Sequence, residues 1–317
     1  MSVQVKNIFY TQIPFVVPFK TLNEVLSGIV NEVTWYLNAP EVTDANCPVP
    51  FAGLEISTSD PNKSMYIKVK INLNDTSVMT DYYCKNKKLD IGINLQSFFK
   101  ILKLIGKDEN VSLWISETDK QKLTIMAEKL KPNKKIRYWN LKLREPDQKR
   151  IPSNVKDFKY HVTMSSDEFH KICQEMSSFS EYMEIKCTSN QIIFTCIGDD
   201  VDGSYILKTG ENGIDIKQGG NVDDTVQIYQ GVFELKNLGL FQKCTNLCTN
   251  MCLFLVNDYP LTLIYTIGSS GTMTILLSPK NDTDINNTSY NYEDDEDDDI
   301  GVINKKTLNV NNNDDYI

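Results

Sequence analysis

The sequence predicts an α+β protein, with large antiparallel sheets and a few helices gathered on one face. Three observations predict it. Four amphipathic helices, each running into a strand, start about 70 residues apart, the mark of a duplicated helix–sheet module. Many short stretches of alternating apolar and polar residues fill the space between them. A polar stretch with two prolines, "REPDQKRIPSNVKD" (144–157), divides the body into halves that each hold two helix–strand units.

The elements follow in order. "FKTLNEVLSGIVNEV" (19–33) places Phe19, Leu22, Val25, Leu26, Ile29 and Val30 at helical spacing. Thr21 and Glu24 offer a capping box there, and the strand "TWYL" follows. In "NLQSFFKILKLIGK" (94–107), a step of about 100° per residue gathers Leu95, Phe98, Ile101, Leu102 and Ile105 on one side. Lys100, Lys103 and Lys107 fall roughly opposite, Leu104 intrudes among them, and the strand "VSLWI" comes next. "SSDEFHKICQEMSSF" (165–179) opens on a Ser165–Glu168 capping box and aligns Phe169, Ile172, Cys173, Met176 and Phe179, before the strand "YMEIKC". "FELKNLGLFQKC" (233–244) aligns Leu235, Leu238, Phe241 and Cys244 ahead of "MCLFLV". Between these lie strand signals such as "SMYIKVKI", "KLTIMAE", "IRYWNLKL", "QIIFTCI", "GSYILK", "PLTLIYTI" and "TMTILL". The organisation expected is a first domain over 1–143, a connecting loop over 144–157 and a second domain over 158–280. An Asn- and Asp-rich, apolar-poor disordered tail over 281–317 completes it.

Charge is unevenly placed. The formal net charge is −9, but eleven of the 42 acidic and two of the 33 basic residues fall at or after Asn281. Residues 1–280 therefore carry 31 of each and are neutral, which leaves room for a basic face. The tail segment "YEDDEDDD" reads as a solubilising stretch; a sharper reading is that it shields the basic face. Eight cysteines without a framework fit buried thiols in a reducing, intracellular setting. Cys244, Cys248 and Cys252 recur every fourth residue, yet no CxxC pair and no nearby histidine accompany them, so no metal is expected. "GDDVDGS" (198–204) lacks calcium-loop spacing and reads as a hairpin turn. No P-loop, GxSxG or metalloprotease helix occurs, and two histidines leave little for acid–base chemistry. The expectation is a non-enzyme without cofactor. No apolar run reaches membrane length, and the first twenty residues lack the pattern of a secretory signal.

"DYYCKNKKLDIGINLQSFFKILKLIGKDENVSLWI", "VTMSSDEFHKICQEMSSFSEYMEI" and "YPLTLIY…TMTILLSPK" together resemble the proliferating cell nuclear antigen family of sliding clamps, over residues 19–280 in family order. The resemblance implies a two-domain DNA-clamp fold that closes as a homotrimeric ring around double-stranded DNA, helices inside and sheets outside. It implies a DNA polymerase processivity factor and docking platform for replication and repair proteins, loaded by a clamp loader, in the nucleus or at a viral replication site. The compositional bias and divergence fit a protist or a large DNA virus. A subunit of a heterotrimeric checkpoint-type clamp and a monomeric clamp-fold polymerase accessory subunit stay open as alternatives.

By helix position, the DNA-facing candidates are Lys20, Lys100, Lys103, Lys107, Lys171, Lys236 and Lys243, while Ser27, Gln174 and Ser178 stand where the family is often basic. Lysines meeting phosphate bind without regard to sequence, as a sliding ring requires. By resemblance, "IRYWNLKL" of one subunit pairs with "GSYILK" of the next, through Tyr138, Trp139, Leu141, Leu143, Tyr205 and Leu207. Family partners carry a short peptide with a glutamine, an aliphatic residue and paired aromatics. The matching groove positions are Ser59, Lys63, Ser64 and Tyr66, Ile151 in the connector, and Pro260, Ile275, Ser278, Pro279 and Lys280. Ser59 and Lys63 replace a methionine and a histidine common in the family, and Ser189 replaces its modified lysine.

Overall fold

The computed structural model describes residues 6–39, 52–72, 78–129, 135–147, 158–219, 228–257, 259–269 and 271–280. Ile151, Cys47, most of the connector and the acidic tail lie outside the described residues. Residues 1–280 form one compact unit. Its first half runs β1 (Asn7–Ile13), α1 (Val16–Ser27), β2 (Glu32–Asn38), β3 (Gly53–Ser59), β4 (Met65–Asn72), β5 (Thr80–Cys84), β6 (Lys88–Asn94), α2 (Leu95–Leu104), β7 (Asn110–Ser116), β8 (Lys122–Lys129) and β9 (Lys135–Lys142). The second half runs β10 (Tyr160–Ser165), α3 (Ser166–Met176), β11 (Tyr182–Cys187), β12 (Gln191–Cys196), β13 (Gly203–Lys208), β14 (Asp215–Gln218) and β15 (Ile228–Glu234). It ends with α4 (Leu235–Gly239), a 3-10 turn (Gln242–Asn246), β16 (Asn250–Leu255), β17 (Leu261–Ile267) and β18 (Gly271–Leu277). Each helix is thus set between two strands, and the unit occurs four times.

Three antiparallel sheets result, ordered β5-β1-β7-β8-β9, β14-β10-β16-β17-β18-β4-β3-β2-β6 and β13-β12-β11-β15. The nine-stranded sheet crosses from one half to the other where β18 pairs with β4, from Thr272 opposite Lys70 to Leu277 opposite Met65. One face of each strand is buried in strict alternation: Met65, Ile67, Val69 and Ile71 on β4, and Met273, Ile275 and Leu277 on β18. Burial of that continuous apolar face, at about 25 cal/mol per Å², holds the halves together.

The start of the polar stretch 144–157 is also fixed. Arg144 exchanges both backbone hydrogen bonds with Gly92, and a Cβ at Gly92 would lie 2.6 Å from the Arg144 carbonyl oxygen. Thr34 Oγ1 accepts from the Asp147 amide at 2.8 Å, and the buried Tyr36 hydroxyl donates to the Asp147 carbonyl at 3.1 Å. Residues 144–147 therefore lie along the β6 edge, and a side chain at Gly92 is expected to detach them. Gly92→Val should raise proteolytic cleavage near residue 147.

Several sequence expectations need correction. α1 starts at Val16, three residues earlier than predicted, with Pro18 tolerated in its first turn. Thr21 is therefore buried in mid-helix and caps nothing. The Ser165 cap does form, its side chain accepting from the Glu168 amide. α2 ends at Leu104, so Lys107 sits in the following turn. The predicted helix over 233–244 is broken after Gly239 and resumes as the 3-10 turn. Phe179 lies beyond α3 and is exposed rather than buried. β1, β3, β5, β6, β10, β14 and β15 were missed; in β1, Thr11 at a buried position interrupts an otherwise apolar alternation of Phe9, Thr11 and Ile13.

Candidate nucleic-acid interface and docking surfaces

The helices form one layer because their apolar sides grip the sheets. Phe19 and Phe98 meet the buried Trp35 edge-on at 6.3 and 5.2 Å, and Phe169 meets Phe194 at 6.0 Å. α1 and α2 run antiparallel: Gln96 donates to the Ser27 carbonyl at 2.8 Å, and Lys20 caps the Ile105 carbonyl at the far end. The ion pair of Glu24 with Lys243 ties α1 to the 3-10 turn and joins the helices of the two halves.

The candidate lysines are not equivalent. Lys20 is half-buried and held by Ile105, Lys171 lies 3.9 Å from Glu175, Lys236 lies 3.1 Å from Glu234, and Lys243 is paired with Glu24. Among the described residues, Lys100 and Lys103 have no carboxylate partner; Lys103 rests 4.3 Å over the Phe99 ring. Lys107 is exposed beside Asp108, which bonds to Lys129 at 2.9 Å. Free positive charge on the layer is thus concentrated at α2.

Leu104 belongs to a different surface. It is 59% exposed, and its carbonyl accepts from Arg137 of β9 at 2.9 Å, so it lies beside a sheet edge. β9 ends the five-stranded sheet and β13 ends the four-stranded one. On β9, Ile136 and Tyr138 point outward, whereas Trp139 and Leu143 pack against the core and Leu141 is buried. On β13, Ile206 is 57% exposed; Tyr205 and Leu207 pack inward, and the Tyr205 hydroxyl bonds to Glu175. Five of the six predicted interface side chains therefore face inward fully or in part, and Tyr138 alone stands outside. The sequence reading missed Ile136 and Leu104 at one edge, and Ile206, Phe179, Ile197 and Val201 at the other, all exposed. Phe179 reaches that second group because Gly198 packs on the Phe179 carbonyl. The two edges also differ in charge. β9 carries Lys135 and Lys142, with Arg137 paired to Glu109, while Asp199, Asp200 and Asp202 precede β13 in the predicted hairpin turn and Lys208 ends that strand.

The predicted groove positions converge on the sheet face opposite the helices, with one correction. Ile275 is fully buried on the helix side; the neighbouring Leu276 points outward, opposite Tyr66. Pairing places Ser59 beside Tyr66 and Thr262 beside Leu276. The row continues through Phe254 and His161 to Lys217, crossing seven strands on a single face. The β3–β4 turn forms one wall: Asp60 accepts from the Met65 amide at 2.7 Å and the Ser64 hydroxyl at 3.1 Å, with Lys63 in the left-handed region at φ 57°. The Ser278 amide donates to the Ser64 carbonyl at 2.9 Å and closes that wall onto the C-terminal segment. Pro279 packs over Gly231 (φ 128°), where a Cβ would come within 2.7 Å of it. Lys280 is drawn away from the groove, its amine 2.7 Å from Glu234. Pro260 is half-exposed at the start of β17.

No helix among the described residues is long and apolar enough to cross a membrane. Cys244 is buried and its thiol is pushed above its ordinary range by burial, while Cys252 lies on β16.

Family models for the proliferating cell nuclear antigen match at residues 22–150 (N-terminal domain) and 151–280 (C-terminal domain). The chain is 30% identical over 199 residues to a probable DNA polymerase sliding clamp of Acanthamoeba polyphaga mimivirus, covering 62% of this chain and 41% of that protein. It is 25% identical over 231 residues to a probable DNA polymerase sliding clamp 1 of Paramecium bursaria Chlorella virus 1, covering 72% and 84%. The proliferating cellular nuclear antigen of Entamoeba histolytica, a crystal structure, superposes with a TM-score of 0.71 at 22% identity, over 87% of this chain and all of that one. That last likeness is one of fold.

Proposed function

The chain belongs to the proliferating cell nuclear antigen family, and from that premise we propose that it is a sliding clamp, three copies of which close into a ring around double-stranded DNA and hold a DNA polymerase there. One observation carries the reading: two open sheet edges, β9 and β13, each flanked by exposed apolar side chains, with lysines on the first and three aspartates in the turn before the second. Such edges invite pairing with another chain. Because the two differ, their union is heterologous, and with a rotation that closes it forms a ring rather than a filament. Leu104, Ile136 and Tyr138 of one copy meet Phe179, Ile197 and Ile206 of the next. The stretch 144–157 serves as the interdomain connector and 281–317 as a tail. Light scattering should give three times the 36.2 kDa chain mass; a monomer would favour the polymerase accessory-subunit reading instead.

In the ring, the helix layer faces DNA. Lys100 and Lys103 supply its phosphate contacts, with Lys107 at the rim, and the paired lysines contribute less. The double variant Lys100→Ala/Lys103→Ala removes six lysines from a ring of three copies and is expected to lower the slope of log affinity against log salt by up to about 5, at about 0.9 per lost phosphate contact. Lys236→Ala, whose amine is already paired, is expected to change it little. Equal effects from both variants would contradict the assignment. Weak, sequence-blind contacts suffice because enclosure holds the ring on DNA.

Partner proteins dock on the face away from DNA. Tyr66 and Leu276 form the floor, and Ser59, Ser64, Pro260, Ser278 and Pro279 the rim, of a groove for a short peptide with paired aromatics. Leu276→Arg should abolish peptide binding in fluorescence anisotropy while leaving the trimer intact.

A further inference from the structure

We propose that the docking groove continues across the second half onto an aromatic shelf that takes an additional aromatic side chain from the flank of a partner peptide. This rests on the groove reading above.

The shelf is built from Phe158, His161, Phe254 and Tyr259. The His161 ring stacks flat on Phe254, with centroids 4.4 Å apart and planes 7° apart. Phe158 leans on Phe254 at 5.0 Å and meets Tyr259 edge-on at 6.1 Å. All four are half-exposed. Strand pairing puts the shelf on the groove's own face: Leu276 is opposite Thr262, and Thr262 is opposite Phe254.

The shelf is rigid where a docking surface needs to be. Gln230 donates to the Tyr259 carbonyl at 2.6 Å and accepts from the Val256 amide at 2.9 Å, pinning both ends of the turn behind it. Lys217 beside His161 is neutralised by Asp215 at 3.1 Å, and the exposed Lys159, two residues before His161 on the same face, sets one positive charge at the shelf's edge. The platform's ring faces and edges take another ring by offset or edge-on stacking.

Distance fixes where that ring must lie in the peptide. Leu276 and Phe254 are two strand steps apart, roughly 10 Å at about 4.8 Å per step. An extended chain covers that in about three residues and reaches His161 in about four. The occupant is thus a partner segment bearing an aromatic residue three or four positions outside the groove-binding core.

The test uses the full-length protein and three labelled peptides. One carries the core of glutamine, aliphatic residue and paired aromatics between Gly-Ser flanks. The others carry the same core with a tryptophan four residues before it or four residues after it. One of the two tryptophan peptides is expected to bind about five- to tenfold tighter than the core peptide. Phe254→Ser should erase that gain and leave the core peptide's affinity unchanged. No gain from either tryptophan, or a gain that survives Phe254→Ser, overturns the shelf. If no peptide binds at all, the groove itself fails and the shelf falls with it. Loss of core binding in Leu276→Arg, but not in Phe254→Ser, separates the two.

Discussion

Arginine at Ile206 or at Tyr138 is expected to convert the trimer to monomers at micromolar concentration. Ile206 is 57% exposed and Tyr138 58% exposed in the single chain, on edge strands whose other faces are already packed. Substitution there leaves the subunit's own core untouched, so folding should survive. In the ring, each residue would be buried at the contact, where an unpaired guanidinium costs several kcal/mol. A weakening of about 3 kcal/mol is more than 100-fold per contact, and a closed trimer has three contacts. Sedimentation should show the change, and retention on circular DNA should vanish with it. Tyr205→Arg is a poorer probe, because Tyr205 packs inward and its hydroxyl bonds to Glu175. Intact trimers from both Ile206→Arg and Tyr138→Arg would refute the assigned edges.

The contrast between Tyr205 and Ile206 shows what was legible in the sequence. The strongly alternating strands were, because alternation of apolar residues is a local property; "GSYILK" is β13 and "IRYWNLKL" is β9 within one residue. Which face of an edge strand meets a neighbour was not, since a register error of one residue exchanges the two faces. The same parity error put Ile275 in the groove in place of Leu276. The lysines illustrate a second limit. Helical spacing correctly set Lys100 and Lys103 away from the apolar side, but the partners of Lys20 and Lys243, Ile105 and Glu24, are distant in the chain. No spacing rule exposes such a pairing. Leu104, out of place on an amphipathic helix, is explained only by the edge strand beside it.

Below pH 6.5 the protein is expected to lose stability through one buried histidine before most carboxylates titrate. His170 of α3 is 4% exposed, and its Nε2 lies 2.9 Å from the Tyr265 hydroxyl. Among the described residues its buried Nδ1 has no hydrogen-bond partner. Protonation would place a second N–H there with nothing to receive it, a cost of the kind that keeps such a ring neutral. Burial accordingly lowers the His170 pKa from 6.5 to about 4, although Asp167 nearby pulls the other way. Because the folded-state value lies below the unfolded one, the unfolded chain binds the proton more readily between them. The stabilisation is complete above about pH 6.5 and lost as pH falls toward 4, a total of about 3 kcal/mol. His170→Gln removes the titration while keeping a polar partner for Tyr265. Urea unfolding at pH 7.0 and pH 4.5 should therefore show a smaller loss for His170→Gln than for the unaltered protein. His161, whose pKa burial also lowers, remains in both and cancels from the comparison. Equal losses would mean that the ring is hydrated in solution and that the acid response belongs to the carboxylates.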